Sequence, residues 1–356
     1  MPGQPRLLSL ATAVPPYRLR QAEVMARARN LFRERPDEIE RMLPVYDNAG
    51  IDTRYSCVPL EWYEENHGWK ERNGLYIDHV VALGERAAAA ALKRARLGVD
   101  GIDAVLSVSS TGIATPSLDA LLAERMGLRR DVQRLPVFGL GCAGGVIGLA
   151  RAAALARAAP ETKILLLVVE LCGLTFRQRD QSKSNIIATA LFGDGAAAAV
   201  VACDGEGPCL ADSGEYTWPA SLPVMGWHVE EDGFGVLFSR DIPALVRQDL
   251  RAVVDAFLES RGLSLADIDG FICHPGGAKV VAALEDAFDL SPGSLLDTRA
   301  VLRDFGNMSA PTVLFVLERV LGIPAPGRYL MSALGPGFTA AFMIIDIPQS
   351  GAAATP

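Results

Sequence analysis

Three side chains of different type could together run acyl-transfer chemistry: the thiol of Cys142, the imidazole of His274 and the carboxamide of Asn307. Cys142 lies in VFGLGCAGGVIGLARAAALARA (137–158), where a short apolar run turns through glycines into a pattern that predicts a helix. A cysteine at a helix amino end meets unpaired N–H groups and the positive end of the dipole, and both favour a thiolate. The competing reading of this stretch alone is a buried, inert cysteine in an Ala/Gly-rich helix. A thiolate needs a partner to take its proton, and imidazole is the usual one. A carbonyl under attack, or an enolate formed as a malonyl thioester loses CO₂, needs donors aimed at its oxygen. An imidazole N–H and an asparagine N–H₂ can supply them. The chain has four histidines. His67 sits among charges, His79 at a helix start, His228 in a hairpin-like segment that could line a pocket, and His274 in a polar loop. For Asn307 the competing role is a helix cap.

The elements that must position these groups show an internal duplication with an offset of about 165 residues. Strand 102–106 runs into Ser109-Ser110-Thr111-Gly112 and a helix at 117–126; strand 268–272 runs into His274-Pro275-Gly276-Gly277 and a helix at 280–288. Gly141-Cys142-Ala143-Gly144 and Gly306-Asn307-Met308-Ser309 then each open an apolar helix. Buried strands follow at 164–171 and 329–334, and closing strands at 196–201 and 340–345. Continuous Val/Ile/Leu/Ala strands alternating with helices predict an α/β fold of mixed sheets with helices on both faces. Two stacked halves, 1–205 carrying the cysteine and 206–356 carrying the histidine and asparagine, bring Cys142 and Asn307 to equivalent positions at their shared interface. Elsewhere the pattern predicts a strand at 6–13, helices at 21–30, 37–46 and 79–95, and an irregular aromatic segment at 51–69. It also predicts a polar loop at 173–189 and a hairpin from 226–229 and 234–238.

Composition narrows the function. The 356 residues are 50% hydrophobic and 21% charged, and the net charge is −8, which disfavours nucleic acid as a partner. Six scattered cysteines form no CxxC pair and no metal-ligand spacing, which fits a reducing compartment and no bound metal. No secretory signal and no apolar run of membrane-spanning length is evident, so a cytoplasmic protein without an integral membrane segment is expected. The order Cys, His, Asn also occurs in papain-like proteases, but no C-G-[SA]-C-[WY] sequence surrounds Cys142.

With these motifs in view, the chain resembles the type III polyketide synthases, the chalcone-synthase-like branch of the thiolase superfamily. The motifs are GLGCAGG around Cys142, ALFGDGAA at 190–197, HPGG at 274–277, GNMSAP at 306–311 and GPGF at 335–338. The resemblance implies a thiolase-like five-layered αβαβα fold built from two duplicated halves, a homodimer, and a catalytic triad of Cys142, His274 and Asn307. It implies no metal and no cofactor beyond the CoA of the substrates. Ketoacyl-ACP synthase III enzymes, which perform a single condensation, share the triad but usually carry HQAN where this chain has HPGG. The resemblance makes Phe192 a gatekeeper and places the second gatekeeper, counted back from Asp241-Ile242-Pro243, at Val236, where a small side chain would widen the passage. It places the residue that crosses the dimer at Thr115. Gly335, Pro336, Gly337 and Phe338 form the signature substrate-binding loop. Basic residues that grip CoA are thinned near 51–54, leaving Arg54. FGLGCAGG, VELC and VMGW look most like bacterial alkylresorcinol and alkylpyrone synthases. These take long-chain fatty acyl starters from CoA or a carrier protein and extend them with malonyl-CoA. Such a starter needs a deep apolar tunnel, with Cys172, Thr175 and Trp227 as expected walls. A cyclisation water network would comprise Ser110, Glu170 and Ser309. The competing role for Glu170 is to tie the halves together.

Overall fold

The computed structural model describes residues 3–32, 34, 36–323 and 325–349. Nine strands form one hydrogen-bonded sheet whose two parts meet through the pairing of Arg6 with Cys209. On one side of the join lie Arg6–Ala13, Asp194–Ala202, Ile164–Leu171, Ala104–Val108 and Gln133–Val137; on the other lie Cys209–Thr217, Thr339–Ile347, Gly327–Gly335 and Gly270–Cys273. The hydrogen-bond pattern repeats between them. Ala104–Val108 is parallel to Ile164–Leu171, which is antiparallel to Asp194–Ala202. Gly270–Cys273 is likewise parallel to Gly327–Gly335, which is antiparallel to Thr339–Ile347.

Side-chain alternation then builds the layers. Ile164, Leu166 and Val168 point into a central core, and Leu165, Leu167 and Val169 into an outer one. In the second half Met331 and Met343 share the central core, while Leu330 and Phe342 face the opposite outer one. Helices Gly144–Ala158 and Thr312–Gly322 fill the centre. Trp69–Ala95 covers the first outer face, and Ile242–Glu259 and Ala278–Ala287 cover the second. The result is the five-layered αβαβα arrangement. Strands buried on both faces must be apolar throughout, and each fully buried Leu, Ile or Val contributes roughly 1.5–3 kcal/mol.

Several local expectations change. The helix expected at 79–95 begins at Trp69, whose ring packs 5.0 Å from Phe234, so aromatics that read as irregular sequence belong to a docked helix end. The helix expected at 37–46 is split into Pro36–Met42 and Pro44–Asp47, because Pro44 lacks the N–H that would continue it. The irregular segment contains a strand, Thr53–Ser56, paired with Tyr17–Arg20. The polar loop contains helix Lys183–Leu191, where Ser182 caps the amino end by accepting from the Asn185 N–H at 3.2 Å. The hairpin forms as expected, from Met225–Glu230 and Gly233–Phe238. Among the described residues no helix is long and apolar enough to cross a membrane.

Candidate active site

Cys142 sits in a tight turn, Gly141–Ala143, that leads directly into helix Gly144–Ala158. The Ser110 hydroxyl braces this turn by accepting from the Gly139 and Gly141 N–H groups at 3.1 and 3.3 Å. The loop at 335–338 braces it from the other half. A Cβ on Gly335 would lie 2.6 Å from both Ala143 Cβ and Leu140 O, so only glycine lets the backbones approach this closely. Pro336 packs on Gly141, and the buried Phe338 ring lies 5.0 Å from Trp218. None of the four loop residues lines the main cavity. Gly335 and Pro336 hold the nucleophile's backbone.

His274 follows strand Gly270–Cys273 and is positioned by its backbone N–H, which donates to Ser332 O at 2.8 Å. Its ring is buried and neither ring nitrogen has a hydrogen-bond partner among the described residues. Asn307 is held more elaborately. Its N–H donates to Leu191 O at 2.9 Å, and its carbonyl accepts from the Gly193 N–H at 3.0 Å, so the segment around Phe192 clamps it from the first half. A Cβ on Gly193 would lie 2.6 Å from Phe305 O, which explains the glycine in this clamp. Asn307 Oδ1 accepts from the Ser309 N–H at 2.8 Å and stands 4.0 Å from Cys142 Sγ; Nδ2 donates to Gly276 O at 3.3 Å. Asn307 is not a helix cap, since helix Thr312–Gly322 begins five residues later.

Electrostatics differ from the sequence expectation. Burial pushes the Cys142 thiol up to about 11, against a smaller opposing influence of the Ser309 hydroxyl, so the helix end does not by itself yield a thiolate. Burial also pushes His274 down to about 3. Burial thus disfavours the charged form of both the thiol and the imidazole.

Glu170 ends strand Ile164–Leu171 and is fully buried. Its Oε2 accepts from the Ser110 N–H at 2.9 Å, the Thr111 hydroxyl at 2.7 Å and the Ser109 hydroxyl at 3.3 Å, while Oε1 has no partner. Burial raises the carboxyl to about 7 despite these bonds. The hydroxyls on Glu170 thus come from Ser109 and Thr111. The Ser110 hydroxyl serves the Cys142 turn and Ser309 stands beside Cys142, so neither hydroxyl bonds Glu170 directly. Thr111 was visible in the same polar loop, but only the fold shows which hydroxyl faces the carboxylate.

Cys142, His274 and Asn307 line one cavity of about 660 Å³, with apolar walls from Ile187, Leu191, Met225, Phe238, Leu334 and Phe342. Val236 is absent from that lining. It pairs with Trp227 across the hairpin, and Phe238 is the residue packed against Phe192, with ring centroids 5.6 Å apart. An aromatic ring, two residues beyond Val236, thus stands beside Phe192 at the cavity wall. Cys172, Thr175 and Phe192 line a second, smaller pocket of about 60 Å³, beyond Phe192, with Leu19, Val24 and Tyr63. Trp227 stacks beside Phe192 and Phe234 and lines neither space. Thr115 is exposed, away from both. Arg54 is buried and donates to the carbonyls of Thr189, Ala190 and Phe192 at the end of helix Lys183–Leu191, so it is not free for CoA. Among the described residues no cluster of His, Cys, Asp and Glu could hold a metal ion.

Comparison with known proteins places this geometry. Residues 2–205 match the model of the chalcone and stilbene synthase N-terminal domain, and residues 213–346 match that of the C-terminal domain. The chain is 37% identical over 357 residues to a putative chalcone synthase of Bacillus subtilis (strain 168), covering 96% of this chain and 98% of that protein. It is 40% identical over 344 residues to a 1,3,6,8-tetrahydroxynaphthalene synthase of Streptomyces peucetius subsp. caesius, covering 94% and 91%. The crystal structure of the Streptomyces coelicolor A3(2) 1,3,6,8-tetrahydroxynaphthalene synthase, a bacterial type III polyketide synthase, superposes with a TM-score of 0.92 at 29% identity, over 97% of this chain and 100% of that one.

Proposed function

This chain belongs to the chalcone and stilbene synthase family of type III polyketide synthases, which are acyltransferases, and from that premise we propose that it primes Cys142 with a fatty acyl group and extends it with malonyl-CoA. The observation that carries this reading is the convergence of a thiol, an unpartnered imidazole and an oriented carboxamide on one apolar cavity.

In this reading Cys142 attacks the starter thioester as its proton passes to His274 Nε2, and the same proton leaves with the CoA thiolate. Because burial keeps the thiol protonated, transfer to the imidazole occurs together with attack rather than before it. A malonyl thioester then loses CO₂, and the enolate oxygen is held by the His274 N–H and Asn307 Nδ2. The enolate carbon attacks the Cys142 thioester carbonyl, expelling the Cys142 thiolate, which accepts the lengthened chain for the next round. Two or three rounds give a tri- or tetraketide that closes as an alkylpyrone by lactonisation or an alkylresorcinol by aldol closure. The apolar stretches of the cavity wall favour a long alkyl chain at about 0.8 kcal/mol per buried CH₂. The smaller pocket behind Phe192 gives such a chain somewhere to extend if that ring turns.

A homodimer fits the edge strand Gln133–Val137, where Leu135, and Phe138 just after the strand, are 40% and 57% exposed.

The 40% identity to a tetrahydroxynaphthalene synthase supports a second reading, a polyketide without an alkyl tail. One experiment separates them: purified protein with malonyl-CoA and a panel of acyl-CoAs, read by mass spectrometry. Products carrying the starter's alkyl chain are expected. A product built from malonyl-CoA alone, unchanged by added acyl-CoA, would replace the first reading with the second.

A further inference from the structure

Helix Lys183–Leu191 stands between the two cavities. Lys183, Ser184, Ile187 and Leu191 line the main one, of about 660 Å³. Asn185, Ala188 and Thr189, with Phe192 just past the helix, line the smaller one of about 60 Å³. Residues three and four apart share a helix face, so one face looks onto each space. The two cavities have no lining residue in common. A chain in the main cavity must move this partition, or the ring that ends it, to reach the smaller space.

The ends of the partition are pinned differently. At the carboxyl end the buried Arg54 donates to the carbonyls of Thr189, Ala190 and Phe192 at 2.7, 2.9 and 2.9 Å, satisfying oxygens that a helix end leaves free. At the amino end the fastening is Arg177. Its backbone carbonyl and that of Asp180 accept from Asn185 Nδ2 at 2.9 and 2.7 Å, and Asp180 Oδ1 accepts from the N–H of the capping Ser182 at 2.9 Å. The Arg177 guanidinium then donates to Asp180 and to Asp232, at 2.6 Å each. Asp232 lies in the turn of the hairpin that brings Met225 and Phe238 to the main cavity wall. A Cβ on Gly235 of that hairpin would lie 3.1 Å from Arg177 Nη2, so the guanidinium rests against the strand. The Arg177 and Asp180 side chains are only 12% and 16% exposed, which strengthens a charge-assisted bond, while Asp232 is 44% exposed at the outer end of the tie.

We propose that Arg177 is a positioning residue that sets starter length: by tying the amino end of helix Lys183–Leu191 to the hairpin through Asp232, it holds the partition shut and keeps the smaller pocket from the chain on Cys142. The proposal rests on the reading of the main cavity as an acyl site. Cutting the tie lowers the cost of moving the helix aside. A ligand that needs the moved helix then gains affinity as that form becomes more populated, and a chain that stops short of the partition gains nothing.

The test is calorimetric titration of the whole protein with S-octyl-CoA and S-tetradecyl-CoA, thioethers that cannot acylate Cys142, comparing the parent with Asp232→Ala and Asp232→Glu. The Asp232 side chain is half-exposed in a turn, so both variants are expected to fold. In Asp232→Ala the tetradecyl affinity is expected to rise about fivefold or more while the octyl affinity stays within about twofold. Asp232→Glu, which keeps a carboxylate for Arg177, is expected to behave as the parent. Amide hydrogen exchange supplies a second reading: in Asp232→Ala, helix Lys183–Leu191 is expected to exchange about tenfold faster, with helix Trp69–Ala95 unchanged. A tetradecyl affinity within about twofold of the parent, an equal change for the octyl probe, the same shift in Asp232→Glu, or unaltered exchange in the partition would overturn the assignment. A length shift in a protein that makes no alkylated product would uphold the partition and sink the fatty-acyl reading. Alkylated product without a length shift would do the reverse.

Discussion

The two halves share a hydrogen-bonding pattern but use their equivalent turns differently. The Cys142 turn runs straight into its helix and is braced by the Ser110 hydroxyl on one side and by Gly335 and Pro336 on the other. The Asn307 turn stands five residues ahead of its helix, and its side chain is aimed by the Ser309 N–H while its backbone is clamped by the segment around Phe192. One turn immobilises a sulfur at a helix end; the other presents an amide across the interface. Duplication supplied two similar frames, and local departures from symmetry supplied two roles.

Removing the amide should show this division most strongly. Asn307→Ala is expected to reduce polyketide formation by roughly 10²–10³-fold, as for loss of one oxyanion donor, while acylation of Cys142 by an acyl-CoA persists. Parallel loss of acylation and condensation, followed by intact mass and product yield, would remove the distinction between the turns.

Packing gives the next largest effect. A Cβ on Gly145 would lie 2.3 Å from Ala310 O, a backbone atom of the opposing half just past Asn307, so helix and turn must separate to admit it. Gly145→Ala is expected to cost about 1–3 kcal/mol or more and to lower the melting temperature by several degrees. Gly276→Ala, where the nearest atom is 3.6 Å away, is expected to be nearly neutral. Equal melting temperatures for the two variants would contradict the close approach between halves.

A subtler contrast concerns Glu170, for which the matching strand end in the second half is Leu334-Gly335, without a carboxyl. Burial raises Glu170 from an ordinary 4.5 to about 7, so the folded protein retains a proton that the unfolded chain releases. Its stabilising contribution is complete below about pH 4.5 and is lost as pH rises through about 7. Glu170→Gln carries no such loss. Its stability relative to the parent should improve between about pH 4.5 and about pH 7, by on the order of 3 kcal/mol at most. A difference in melting temperature that does not vary with pH would mean that Glu170 titrates normally.

Much of this was legible in the sequence because it follows from order and periodicity. Doubly buried strands such as 164–171 and 329–334 declare themselves by composition, and the repeated order of elements brought Cys142 and Asn307 together before any coordinates. What escaped depends on distance. That Phe238 rather than Val236 reaches the main cavity is invisible to strand alternation. The choice among Ser109, Ser110 and Thr111 at Glu170 turns on which hydroxyl faces inward. The high thiol pKa reflects burial, which a helix-end argument does not weigh. Arg54 reads as a surface cation until its carbonyl partners are seen, and Arg177 and Asp232 meet only in three dimensions.

The central claim is that Cys142 carries the acyl chain. Intact-mass spectrometry of the protein incubated with a long-chain acyl-CoA, followed by peptide mapping, tests it directly. One acyl group per chain, located on the peptide containing Cys142 and absent in a folded Cys142→Ala variant, is the expected result. Polyketide formation by that variant, or an adduct at another cysteine, would contradict it.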